Sequence, residues 1–191
     1  MAVSYNNLIT KNFHGRFGDI VLRRMGDKTV MSKRPNCSKV VKSKVQKHNQ
    51  RRFAAAVTYA KKVKKDPNLL EYYGKKKRKS QSIWNAAISD FMKKPRVEKV
   101  NLSDYQGLPG NVIGISIWDR FKVESVNVVI MNEMGQTIES GMASSKEYSG
   151  EIEWEYRLTT ENPSYKTSRV FITVKDRPGN IVKETWFVSR T

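Results

Sequence analysis

The sequence predicts an α+β chain: a basic β-hairpin followed by three helices in residues 1–98, then an all-β sandwich of immunoglobulin or fibronectin type in residues 99–191. Three observations predict it. Two β-prone runs flank a Gly-Asp turn near the start, apolar residues recur at three- and four-residue spacing between residues 45 and 92, and alternating β-branched runs take over beyond Pro95. Charge changes at the same place. Residues 1–100 hold 26 Lys+Arg and 6 Asp+Glu, whereas residues 101–191 hold 10 and 12, so the formal net charge of +18 belongs to the first half.

Asp19-Ile20-Val21-Leu22-Arg23-Arg24 and Thr29-Val30-Met31-Ser32-Lys33-Arg34 are the two arms of the hairpin, joined through Met25-Gly26-Asp27-Lys28. Glycine tolerates the positive φ of such a turn. A lone hairpin is marginal in water, so these strands must pack on something. Pro35 ends the second arm, and Asn36 to Ser43 is a polar, basic connection. From 45 to 65, Phe53, Ala56, Val57, Ala60 and Val63 keep helical spacing, with Lys47, Arg51, Arg52, Thr58, Lys62 and Lys65 opposite. Asp66-Pro67 supplies an N-cap and a first-turn proline for a short helix carrying Leu69, Leu70 and Tyr73 and ending at Gly74. Five consecutive cations follow: Lys75, Lys76, Lys77, Arg78 and Lys79. A serine cap at Ser80 or Ser82 starts the third helix, whose Trp84, Ala87, Ile88 and Phe91 share a face, and Pro95 stops it.

Strand-like runs in the second half fall at 112–118, 125–131, 137–142, 151–158, 170–174 and 181–188, with a leading strand at 97–102. Asn132-Glu133-Met134-Gly135 and Asp176-Arg177-Pro178-Gly179-Asn180 read as hairpin turns. Trp118, Trp154 and Trp186 lie on separate strands and are expected at or near the core. The Cys…Trp…Cys spacing of antibody domains is absent, because the one cysteine, Cys37, lies in the other half.

Catalytic and metal-ligating patterns are sparse. His14 and His48 are the only histidines, Cys37 has no partner for a disulfide or zinc site, and His14-Gly15-Arg16-Phe17-Gly18 lacks the spacing of a phosphate loop. Glu151, Glu153 and Glu155 share a strand face, which reads as solvated rather than as a cation site because Ile152, Trp154 and Tyr156 take the opposite face. No enzyme and no cofactor are expected. No apolar stretch approaches the roughly 18 residues of a membrane span, and the start carries no secretory signal. With the lone cysteine, these point to a cytoplasmic or virion-associated protein.

Charge supplies the positive expectation. Arg16, Arg23, Arg24, Lys33, Arg34, Lys39, Lys42, Lys44, Lys47, Arg51, Arg52, Lys75, Lys76, Lys77, Arg78 and Lys79 are the candidate nucleic-acid contacts. Lysine and arginine neutralise phosphates and release counterions, and no base-reading motif accompanies them, so sequence-tolerant binding of DNA or RNA is expected. The alternative is a structural assembly protein, a phage or injection-system component, whose basic half docks on an acidic protein surface. In either case the Ig-like half would contact a protein. A lipid surface is not expected: the apolar face of the first helix, Phe53 with Ala and Val, is too weak to insert deeply, and packing it against the better apolar face of the Trp84 helix accounts for both.

The stretch from Asn6-Asn7-Leu8-Ile9-Thr10 through Gly15-Arg16-Phe17-Gly18, the close Met31-Ser32-Lys33-Arg34-Pro35 and the helix opening Gln50-Arg51-Arg52-Phe53-Ala54 resemble uncharacterised proteins of Bacteroidota and their phages. That resemblance implies a bacterial or phage non-enzyme with a trailing Ig-like domain. It carries no site residues.

Overall fold

The computed structural model describes residues 2–5, 13–35, 41–148 and 151–188. Among the described residues, twelve strands in three four-stranded antiparallel sheets and three α-helices give a mixed α+β architecture. Its packing divides it into two units, Met1–Lys47 and His48–Thr191.

In the first unit the predicted hairpin forms as β3 (Ile20–Met25) and β4 (Lys28–Lys33), with Gly26 at φ 62° in the turn. It does not stand alone. β1 (Ala2–Tyr5) pairs with β4, and β2 (Gly15–Phe17) pairs with β3, giving the order β1-β4-β3-β2. These flanking strands, too short to be predicted, complete the ladders that an isolated hairpin leaves open. Opposed residues share a face, so Phe17, Ile20, Leu22 and Met31 line one side, while Arg16, Val21, Arg23 and Val30 line the other. Ser43 then opens helix α1 (Lys44–Lys65) with a capping box: the Gln46 N–H donates to Ser43 Oγ, and Gln46 Oε1 accepts from the Ser43 N–H.

In the second unit, α1 is followed by α2 (Pro67–Lys76) and α3 (Ile83–Met92). The Asp66 carboxylate caps α2 through the N–H groups of Asn68 and Leu69, and Ser82 caps α3 through Asn85. Ala60, Val63, Tyr73, Ala86 and Ala87 interlock as the helical core, joined by Phe121. Phe121 comes from the loop between β6 (Val112–Trp118) and β7 (Val123–Met131). The helical pattern does give way to strand between residues 93 and 96. Packing crosses that point: a loop of the strand region supplies part of the helical core, and helices and strands make one unit.

The strands of this unit form two sheets with a β-sandwich-like core. One has the order β5-β6-β10-β9, with β5 (Arg96–Asn101), β9 (Ser144–Tyr148) and β10 (Glu151–Arg157). The other is β12-β11-β7-β8, with β8 (Thr137–Met142), β11 (Arg169–Asp176) and β12 (Ile181–Phe187). Ile113, Ile115, Trp154 and Tyr156 of the first sheet meet Val126, Val128, Ile130, Val170, Ile172 and Val174 of the second. Trp154 is a core anchor and Trp186 packs against the core, half-buried. Trp118 departs from the expectation: at the end of β6 it is 48% exposed, with the Arg96 guanidinium over its ring. No helix among the described residues is long and apolar enough to cross a membrane.

Candidate functional site

Each predicted cation takes its position from the element that carries it. In the first unit Arg16 and Arg23 lie on one face of the sheet, Arg24 and Lys33 on the other, so strand alternation separates them into two pairs. Arg16 Nε donates to the Gly18 carbonyl at 3.1 Å and Arg24 Nε to the Gly26 carbonyl at 3.3 Å, which holds each guanidinium beside a turn. The Arg34 N–H donates to the Asp19 carbonyl and closes the open end of the hairpin. Lys42, Lys44 and Lys47 are exposed around the opening of α1, and Lys39 lies outside the described residues.

In the second unit Arg51 shares an exposed stripe of α1 with Thr58, Lys62 and Lys65, on the side opposite Ala56, Ala60 and Val63. Arg52, one residue further round, is half-buried. Its Nη2 donates to the Met92 carbonyl at 3.2 Å and satisfies the end of α3. The neighbouring arginines thus do different work, which their adjacency in sequence does not reveal. Lys75 pairs with Glu71 one turn earlier, and Lys75 and Lys76 sit at the electronegative end of α2. Lys77 is half-buried and closes α2 through its N–H to the Tyr73 carbonyl, while Arg78 and Lys79 are exposed.

A second cluster escaped the sequence reading. Asp90 of α3, Asp119 after β6 and Asp176 at the end of β11 bring one carboxylate oxygen each within 4.8 Å of one another. Tyr73 donates to Asp90 Oδ2 at 2.5 Å, and the Tyr59 and Tyr73 hydroxyls lie 2.8 Å apart. Asn180 binds both oxygens of Asp176, through its N–H and its side-chain amide, and spans to the Phe91 carbonyl. Arg177 lies over the Tyr72 ring at 3.8 Å. Burial, reinforced by Asp119 and Asp176, pushes the Asp90 carboxyl up to about 7 against the opposing Tyr73 hydrogen bond. Burial likewise raises Asp119 and Asp176, and it pushes Tyr72 up to about 12. One signal for this cluster was present in the sequence: Asp90 falls on the same stripe as Ile83 and Ala86/Ala87, an acid where the pattern demands an apolar residue.

An open groove of about 480 Å³ near β6 mixes Lys76, Arg120 and Lys122 with Glu98, Asp119, Glu124 and Glu153, so neither charge dominates it. The predicted glutamate face is realised in part. Trp154 and Tyr156 point into the core, while Glu155 pairs with Lys146 and Glu153 accepts from Ser116.

No family model matches the chain, and no curated protein matches it. Among solved structures, CopC from Methylosinus trichosporium OB3b is similar over 49% of this chain and 89% of its own, at 14% identity and a TM-score of 0.35. An engineered protein is similar over 48% of this chain and 19% of its own, at 19% identity and a TM-score of 0.33. Likeness at that level carries no functional argument.

Proposed function

We propose that the chain is a non-enzymatic nucleic-acid-binding protein that grips the phosphate backbone through cations of its first hundred residues, with an Ig-like sandwich that contacts a protein. One observation carries the reading: 26 Lys+Arg face only 6 Asp+Glu in that stretch. The fold supports it by leaving Arg16, Arg23, Arg24, Lys33, Arg34, Arg51, Lys76, Arg78 and Lys79 exposed. Self-repulsion at that density destabilises the free protein, and a polyanion relieves it. Backbone contacts position a protein on a duplex without reading sequence, so DNA and RNA of unrelated sequence are expected to bind alike.

The Ig assignment rests on strand order. β5-β6-β10-β9 follows the A-B-E-D order of one immunoglobulin sheet, and β12-β11-β7 follows G-F-C of the other, with β8 as an added edge. Fluorescence anisotropy of labelled DNA and RNA oligonucleotides, each in two unrelated sequences, with the full chain at 50 mM salt tests the function. Submicromolar binding of all of them is expected. Absence of binding overturns the reading and leaves an acidic protein surface as the partner of the basic half.

A further inference from the structure

We propose that Asp90, Asp119 and Asp176 form a divalent-cation site, with Ca²⁺ the favoured occupant, at the junction of α3 with the β6–β7 and β11–β12 loops. Proximity of the three carboxylates is the first observation. The second is independent of it: Asp90 is 1% exposed, and its Oδ1 is a buried oxygen with no hydrogen-bond partner. Asp119 Oδ2 and the Tyr72 hydroxyl are buried and unpartnered in the same way. Native proteins rarely leave such atoms unsatisfied, and three orphaned oxygens around one acidic cluster are the donors a cation would use.

Among the described residues, protein partners leave these oxygens unmet. Arg177 brings a single positive charge, its guanidinium 3.8 Å from the centre of the Tyr72 ring, so it offsets at most one carboxylate. Tyr73 satisfies only Oδ2 of Asp90, and Asn180 serves Asp176. A divalent ion beside three carboxylates leaves one net negative charge, which Arg177 balances. The donors are all oxygen, with neither histidine nor cysteine among them, which selects hard cations over zinc or copper. Three carboxylates from three separate elements, with oxygens within 4.8 Å of one another, are met more easily by the loose Ca²⁺ shell, at about 2.3–2.6 Å, than by the tight Mg²⁺ octahedron at about 2.0–2.1 Å. Bound there, the ion would tie the helices to two loops of the sandwich.

The test uses the full chain and Tb³⁺, a luminescent stand-in for Ca²⁺ that Tyr72 and Tyr73 would sensitise. Saturable emission at one ion per chain, displaced by Ca²⁺ more readily than by Mg²⁺, is expected. Ca²⁺ at about a hundredfold excess over its Kd should also raise the melting temperature by about 5–11 °C over the value in EDTA. Asp119→Asn, which keeps the Oδ1 acceptor for the Phe121 N–H, should abolish both effects. Asp90→Asn is the second variant should that one not fold, as judged by far-UV circular dichroism. Absence of saturable emission together with equal melting in EDTA and Ca²⁺ overturns the site, as does binding undiminished in both variants.

Discussion

Replacing Phe121 by Ala removes a side chain that a sandwich loop contributes to the helical core. Phe121 is 8% exposed, so nearly all of its ring leaves a packed environment, and Phe→Ala truncations of that kind cost about 3–5 kcal/mol. Its ring also meets the edge of Tyr73 at 5.6 Å and lies under the Arg120 guanidinium at 4.9 Å, which places the loss towards the middle of that range. A destabilisation of about 4 kcal/mol corresponds to a drop of roughly 8–16 °C for a unit of this size. Urea unfolding measures it, followed by far-UV circular dichroism for the helices and, in a Trp84→Phe background, by fluorescence for Trp118, Trp154 and Trp186 of the sandwich. Because helices and sandwich form one unit, both signals should shift together in the variant. A loss below about 1 kcal/mol, or a helix signal that melts while the fluorescence transition stays in place, would refute the shared core.

Other outcomes follow from single contacts. Burial raises the Glu139 carboxyl, but donors from the Thr159 hydroxyl at 2.7 Å, the Thr159 N–H at 2.8 Å and the Thr160 N–H at 3.3 Å outweigh it and hold the group below its ordinary value. With the folded value below the unfolded one, this stabilisation is present above about pH 4.5 and lost as pH falls through the folded value; Glu139→Gln should cost about 1–3 kcal/mol at pH 7 and progressively less toward pH 3 in denaturant titrations. Gly107 has φ +77°, and an added Cβ would stand 2.2 Å from the Asn162 carbonyl oxygen, so Gly107→Ala should cost at least about 2 kcal/mol by thermal melting. Arg51→Gln should lower the salt slope of DNA binding by about 0.9 and leave stability within about 0.5 kcal/mol. Arg52→Gln should do the reverse, costing about 1–3 kcal/mol through the lost bond to Met92 while the slope holds.

Strands such as Ser125–Met131 were legible to within two residues because β-branched side chains alternate on a half-buried surface, and the helices because Ala56, Ala60 and Val63 keep a helical period. β9 was missed because Ser144-Ser145-Lys146-Glu147 is an exposed edge whose pairing with β10 is a tertiary fact. Division of the molecule was harder to read than its elements. Phe121 looks like a loop residue in sequence, and only three dimensions show that it completes a core begun about sixty residues earlier. The same distance in sequence hides the acidic cluster, whose members lie 29 and 57 residues apart. Arg52 shows the limit of charge counting: a helix turns about 100° per residue, so one of two adjacent arginines faces solvent and the other a helix end.

A salt titration of DNA binding by the full chain decides whether phosphate contacts hold the nucleic acid. Log affinity should fall linearly with log salt, with a slope steep enough to lose about a thousandfold or more between 50 and 200 mM. Affinity that is absent at 50 mM, or that stays level across that range, would contradict such contacts.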